Sequence, residues 1–260
     1  MPHRTQALAF VDLETTGSTP GSDRITEIGI VTVDPDGTVN TWQQLVNPGA
    51  YISPFIEQLT GISNAMVADA PAFAEVADTV RERLAGRLFI AHNARFDYGF
   101  LKQEFRRLGI TFRASVLCTV KLSRALFPEH RKHNLDSLIE RHDLRAEARH
   151  RALADAQLIQ QFWQKIHVDR SIDQIAAALR LQNPQPKLPP QLDGAFIDQL
   201  PDNPGSYRLY GANNTLLHTA KAKDLRQQIL AHFPDGPCSA RKQKLAQAVT
   251  RVEWVEDLDA

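Results

Sequence analysis

The chain has 260 residues, 43% of them hydrophobic and 23% charged, with a formal net charge of zero. That is enough for one large core or two unequal ones, with the composition of an ordinary globular protein. No apolar run approaches the roughly 20 residues that cross a bilayer. The opening Met1-Pro2-His3-Arg4-Thr5-Gln6 leads into a short strand rather than a secretory signal, so a cytoplasmic protein without membrane contact is expected. Cys118 and Cys238 stand far apart and form neither a disulfide framework nor a metal-spacing motif.

In chain order, residues 7–14, 25–33 and 39–46 read as strands. The second of them, Ile25-Thr26-Glu27-Ile28-Gly29-Ile30-Val31-Thr32-Val33, is rich in β-branched residues. Asp34-Pro35-Asp36-Gly37 makes the turn to the third, with proline presetting φ and glycine accepting φ > 0. A helix is expected at 72–85, between Pro71 and Gly86. Residues 87–92 read as a fourth strand. Residues 95–108 read as a helix, with Phe96, Phe100, Phe105 and Leu108 at helical spacing. A short strand at 115–119 and helices at 120–127, 134–142 and 151–167 complete the unit. Three strands followed by alternating helices and strands predict a mixed α/β sheet with helices packed on it. Residues 183–190 then hold four prolines, as in an extended, semi-rigid linker. Beyond it, strands are expected at 205–210, 215–219 and 251–255, with a helix at 223–233. The domains expected are 1–180 and 196–260, joined by 181–195.

The zero net charge hides an asymmetry. Residues 1–80 carry two Lys/Arg against ten Asp/Glu, and residues 81–151 carry sixteen against eight. An acidic segment beside a basic one suits a metal site flanked by a polyanion track. The plainer account is that Arg81, Arg83, Arg106, Arg107 and Arg145 lie on solvated helix faces.

The first strand carries an anomaly. In Phe10-Val11-Asp12-Leu13-Glu14-Thr15-Thr16-Gly17, an apolar run is broken by two acids one residue apart. Strand side chains alternate, so Asp12 and Glu14 share a face, at the C-terminal end where open α/β sheets place ligands. Two carboxylates on one face repel, and burying them unpaired is costly. A hard cation such as Mg²⁺ or Mn²⁺ resolves both problems; so does a strand end that reaches water or an arginine. Asp97 falls in the first turn of the 95–108 helix, where acids suit the helix dipole. It also shares the face of Phe100 and Leu101 that packs on the sheet. Asp155 lies on the apolar stripe Ala152, Ala156, Ile159, Trp163 and Ile166, and a carboxylate there needs a partner. His150, five residues earlier, is suited to take a proton from water near neutral pH.

Together, Phe10–Gly17, His92-Asn93-Ala94-Arg95-Phe96-Asp97 and His150 with Asp155 resemble the three motifs of the DEDDh exonucleases. That family includes the proofreading subunit of bacterial DNA polymerase III. Ile25-Thr26-Glu27-Ile28-Gly29 and Leu59-Thr60-Gly61-Ile62 fit the same pattern, which covers about residues 5–170. The resemblance implies a ribonuclease-H-like fold with a five-stranded mixed sheet. It implies two Mg²⁺ or Mn²⁺ ions about 3.5–4 Å apart on Asp12, Glu14, Asp97 and Asp155, with His150 as general base. It places Thr15, Thr16, His92 and Asn93 near the 3′-terminal nucleotide. The activity implied is a 3′→5′ exonuclease that releases nucleoside monophosphates from single-stranded DNA or frayed 3′ ends, in proofreading or repair. RNA 3′ ends are the alternative substrate, and a nucleic-acid-binding module with silent nuclease activity is the alternative class.

A second resemblance lies in Pro204-Gly205-Ser206-Tyr207-Arg208-Leu209-Tyr210 and Leu217–Arg226. These are similar to the GIY-YIG nuclease domain of an excision-repair endonuclease, a small α+β unit. Tyr207 stands for the first-motif tyrosine. His218 and Ala220 replace the second motif's tyrosine and glycine, and Gln228 stands where an arginine is expected. The chain is expected to stop at Ala260 before the motif's metal-binding acid, so the domain reads as degenerate and truncated. It would hold nucleic acid through Lys221, Lys223, Arg226, Arg241, Lys242 and Lys244, or serve as a structural or partner-binding appendage. Residues 185–260 balance nine basic against nine acidic side chains. Gln191–Phe196 faintly resembles the peptide by which polymerase subunits hold a sliding clamp, which adds a polymerase or clamp to the partners considered. Phe196 also suits the start of the second domain's core.

Overall fold

A computed structural model of the chain describes residues 6–145, 150–182, 186–201, 203–234 and 236–257. The chain divides into two compact units, Met1–Gln182 and Asn183–Ala260. In the first, strands β1 (Leu8–Thr15), β2 (Ile25–Val33) and β3 (Val39–Leu45) form an antiparallel meander. Helices α1 (Pro54–Thr60), α2 (Asn64–Val67) and α3 (Phe73–Leu84) follow. Strand β4 (Leu88–Ala91) then lies parallel to β1, and after α4 (Arg95–Arg107) strand β5 (Ser115–Cys118) lies parallel to β4. Helices α5 (Thr119–Leu126), α6 (Leu135–His142), α7 (Ala152–Asp169) and α8 (Ile172–Gln182) complete the unit. The strand order is β3-β2-β1-β4-β5, the mixed five-stranded sheet that the sequence implies.

Alternation along β1 divides the core between the two sheet faces. Leu8 and Phe10 point to the side covered by Leu122, Leu158, Ile159 and Trp163 of α5 and α7. Ala9, Val11 and Leu13 point to the side covered by Phe73 and Val80 of α3 and Phe100, Leu101 and Phe105 of α4. Asp12 and Glu14 continue the Leu8–Phe10 row, so the apolar stripe under α7 turns acidic at the strand's end. The β2 row opposite them in register is Val31, Gly29 and Glu27.

Three helices of this unit, α1, α2 and α8, lie outside the sequence expectations. Helix α1 is capped by Ser53, whose Oγ accepts the amide of Ile56; it has Pro54 in its first turn and ends on Gly61 at φ 70°. It packs Ile56 onto a small cluster of Ile52, Ile62 and Val67, the last from α2. Helix α8 buries Ile175 and Ala178 in the core beneath α7.

In the second unit β6 (Gly205–Tyr210) is the central strand, with β7 (Leu216–Ala222) and β8 (Arg251–Glu256) antiparallel on either side. Helices α9 (Phe196–Gln199), α10 (Leu225–Leu230) and α11 (Ala240–Ala248) accompany them. Leu200, Tyr207, Leu209, Leu225, Ile229, Phe233 and Val249 form the core. Part of the proline-rich stretch, residues 183–185, lies outside the described residues. The described part docks on this unit: the Lys187 amide donates to the Phe233 carbonyl at 3.0 Å, and Leu192 is buried in the core. Gln191 donates to the carbonyls of Gln247 and Val249, so the clamp-peptide resemblance falls on residues engaged within the fold. Among the described residues, no helix is long and apolar enough to cross a membrane.

Candidate active site

Glu14, Asp155 and His150 come together where β1 ends. Asp97 sits in the first turn of α4, and its Oδ1 accepts the backbone N–H of Leu13 at 3.2 Å. The α4 carboxylate therefore reaches the β1 backbone at the residue between Asp12 and Glu14. Asp97 is 2% exposed. Burial pushes its pKa up to about 8, and the charge of Glu14 adds to that; the Leu13 and Asp97 amides act the other way. Asp155 arrives on α7 and is 6% exposed. Ligand atoms of Glu14, His150 and Asp155 all lie within 4.8 Å of one another. His150 is exposed and stands just before α7 with φ 57°. Asp12 shares the β1 face of Glu14, two residues away.

Two features of β2 let α7 come this close. Gly29 lies opposite Asp12. A Cβ there would stand 2.2 Å from the Ala152 carbonyl carbon and 2.3 Å from the Leu153 nitrogen, so only a residue without a side chain admits the α7 backbone. Glu27 lies opposite Glu14, fully buried, and bonds Arg151 and the Ala152 amide. The sequence marks both residues only as members of the Ile25–Gly29 stretch. A carboxylate inside an otherwise apolar strand is the signal that singles out Glu27.

The residues expected near substrate lie at, or just past, the C-terminal ends of the parallel strands β1 and β4. Thr15 is buried and its hydroxyl donates to the Gly17 carbonyl at 2.6 Å. The Thr16 amide donates to the Arg24 carbonyl at 2.9 Å, and its Oγ1 accepts the Arg24 amide at 3.0 Å. Together they close the loop after β1. Buried Glu104 of α4 braces that loop through a bidentate pair with Arg24, at 2.7 and 3.0 Å, and a contact to Arg107 at 3.0 Å. Arg107 in turn donates to the carbonyls of Pro20 and Gly21. His92 Nδ1 lies 3.0 Å from Thr119 Oγ1, which donates to the Ala91 carbonyl; the proton of that contact therefore belongs to Nδ1. Asn93 is exposed with φ 70°.

A divalent cation fits this arrangement. The donors are hard carboxylate oxygens, those of Glu14 and Asp155 converge beside His150, and a cation would favour the ionised form of the buried Asp97 carboxyl.

The second unit has its own cluster of titratable groups. Tyr207 is 2% exposed, and its hydroxyl lies 2.7 Å from His232 Nε2 and 3.4 Å from His218 Nε2. Burial, and then the charges of His218 and Lys242, bring the His232 pKa down to about 4, so the imidazole is neutral at neutral pH. Burial raises the Tyr207 pKa, while a bond to Gln228 opposes it. Lys221, Lys223, Arg241, Lys242 and Lys244 are exposed. Arg226 donates to the Ile197 carbonyl.

A ribonuclease-H-like sheet with carboxylates and a histidine gathered at the end of its first strand defines a nuclease fold of the DEDDh type. The sequence profile of the exonuclease family (RNase T type) matches residues 9–162, and the chain belongs to that family, whose members work with divalent metal ions. The 3′-5′ exonuclease DinG of Bacillus subtilis is 40% identical over 155 residues, covering 59% of this chain and 17% of DinG. A putative bifunctional exonuclease/endonuclease of Mycobacterium tuberculosis is 32% identical over 268 residues, covering 98% of this chain and 41% of that protein. The chain thus spans less than half the length of either relative. Among solved structures, exonuclease X in complex with 5′ overhanging duplex DNA superposes with a TM-score of 0.52 at 29% identity. The match covers 66% of this chain and 98% of that one.

Proposed function

We propose that this chain is a metal-dependent 3′→5′ exonuclease that releases nucleoside monophosphates from DNA 3′ ends. The observation that carries the reading is the convergence of Glu14, His150 and Asp155 within 4.8 Å, beside a buried Asp97 bonded to the same strand. Asp12, Glu14, Asp97 and Asp155 would hold two Mg²⁺ or Mn²⁺ ions. When bound, such ions lower the pKa of water and neutralise charge building on the leaving 3′ oxygen. His150, exposed beside Asp155, takes the proton of the attacking water. Thr15, Thr16, His92 and Asn93 bound the place where the terminal nucleotide sits, and the Glu104 brace holds the Thr16–Arg24 loop at its edge. DNA is favoured over RNA because the chain is similar to a DNA polymerase III of the PolC type and to an exonuclease X bound to duplex DNA.

End-labelled single-stranded DNA and RNA of one sequence test this directly, each incubated with wild type and Asp12→Ala. Stepwise shortening of DNA from the 3′ end is expected with Mn²⁺, stopping on chelation and in the variant. Full activity without a divalent ion would end the metal-dependent account, and faster loss of RNA would move the substrate class.

We infer that the second unit is a degenerate GIY-YIG-like domain that supplies nucleic-acid affinity rather than cleavage. Tyr207 and His218 hold the places of that motif's two tyrosines, Gln228 stands where its arginine would oppose phosphate charge, and five exposed cations remain. Support comes from the mycobacterial relative, whose similarity continues through this unit. Changing Lys221, Lys223, Arg241, Lys242 and Lys244 to glutamine in the full chain is expected to weaken DNA binding. The salt dependence should flatten by about 0.7 in slope for each single-strand phosphate that these cations neutralise in the wild type. An unaltered slope would leave a structural or partner-binding appendage.

A further inference from the structure

We propose that Glu27 is a positioning residue for the active site, holding His150 and Asp155 in place through Arg151 and the Ala152 amide. The inference rests on the exonuclease reading above and assigns a task to a side chain that reading does not use.

Glu27 is fully buried, and four donors meet its carboxylate. Arg151 Nη2 lies 2.6 Å from Oε1, and Arg151 Nε lies 3.1 Å from both oxygens. The Ala152 amide lies 2.9 Å from Oε2, and Gln43 Nε2 lies 2.6 Å from Oε1. Such a set compensates the desolvation that burial of a carboxylate brings. It does not by itself explain the location, because Glu27 lies directly opposite Glu14 on one sheet face, where like charges are unfavourable. Arg151 resolves that conflict. Its guanidinium bonds Glu27, the main reason its pKa is raised, and the charge of Glu14 adds the smallest push in the same direction.

The donors come from the segment that matters. Arg151 is the N-cap of α7 and makes no capping bond with its own side chain. Glu27, from a strand 124 residues away in sequence, accepts the first helical amide instead and sets a negative charge at the helix N-terminus. The residue before this clamp is His150, at φ 57°, a left-handed conformation that persists where the surroundings dictate it. Three residues after the clamped amide, on the same rigid turn, is Asp155, whose amide donates to the Arg151 carbonyl at 3.0 Å. Fixing residues 151 and 152 therefore fixes the direction of His150 and the approach of Asp155 to Glu14. Changing the groups that orient metal ligands typically alters metal affinity or activity about 10- to 100-fold.

The test uses full-length wild type, Glu27→Gln, Arg151→Gly and Asp12→Ala on end-labelled single-stranded DNA with Mn²⁺. Melting temperatures, calorimetric Mn²⁺ affinity and hydrogen exchange at the Ala152 amide are measured alongside. Glu27→Gln keeps the side chain's shape but loses its charge. Its kcat is expected to fall about 10- to 100-fold with KM within about twofold, Mn²⁺ affinity to weaken and the Ala152 amide to exchange faster. Arg151 is partly exposed, so added methylguanidinium is expected to restore part of the rate to Arg151→Gly but none to Glu27→Gln. A lower melting temperature with kcat, Mn²⁺ affinity and Ala152 exchange unchanged would reduce Glu27 to a structural brace and overturn the proposal. Should wild type itself fail to shorten the DNA, the exonuclease reading falls. The clamp then stands or falls on Mn²⁺ affinity and Ala152 exchange alone.

Discussion

Turnover by Gly29→Ala is expected to fall about a hundredfold. The added methyl would stand 2.2 Å from backbone atoms of Ala152. Neither partner can yield by rotating a side chain: one is a strand paired with β1 and the other the first turn of α7. The helix must therefore back away by about 1 Å, and misplacement of that size can cost 10²-fold in rate. The direction matters as much as the size. Gly29 lies opposite Asp12, so the shift draws His150 and Asp155 away from the acids of β1. The same overpacking should lower stability by about 1–3 kcal/mol. Rates measured well below the melting temperature, with circular dichroism as the check on folding, separate the two effects. Turnover equal to wild type would mean that α7 need not lie against β2 for the chemistry.

His150→Ala is expected to lower turnover by about 10²–10⁴-fold, the usual worth of a general base, while DNA binding stays nearly intact. His150 is exposed and lies outside the hydrophobic core, so its removal leaves the packing alone. Alanine at φ 57° is less comfortable than histidine; His150→Asn accepts that backbone and separates backbone strain from loss of the base. A normal rate in both variants would take His150 out of the mechanism. Loss in alanine with recovery in asparagine would assign the effect to the backbone.

Local physics makes much of the first unit legible. The β-branched run of β2 marks that strand with its observed ends, and the phenylalanine spacing of α4 places that helix to within a residue. Less continuous patterns hide their elements. Helix α1 is about two turns on the surface, with Phe55 and Leu59 exposed, so no apolar stripe announces it despite the Ser53 cap. Helix α8 buries Ile175 and Ala178, too few for a stripe, beside a stretch dominated by prolines. Helix α11 has no buried residue at all and shows itself only by the Ser239 cap.

The site divides in the same way. Two acids one residue apart in a strand must share a face, and an acid on the stripe of an amphipathic helix must face the core. Period two and period 3.6 are properties of the chain itself, so Asp12, Glu14, Asp97 and Asp155 can be picked out before any fold is known. Which acid meets which is a matter of register and of how near a helix can approach a sheet. Glu27 comes opposite Glu14 only through the register of neighbouring strands, while Gly29 under the α7 backbone and Arg151 on the Glu27 carboxylate join segments on the order of a hundred positions apart, and no local pattern encodes such a meeting. Only the packed sheet, with its antiparallel β1–β2 pairing and α7 laid across it, brings them together.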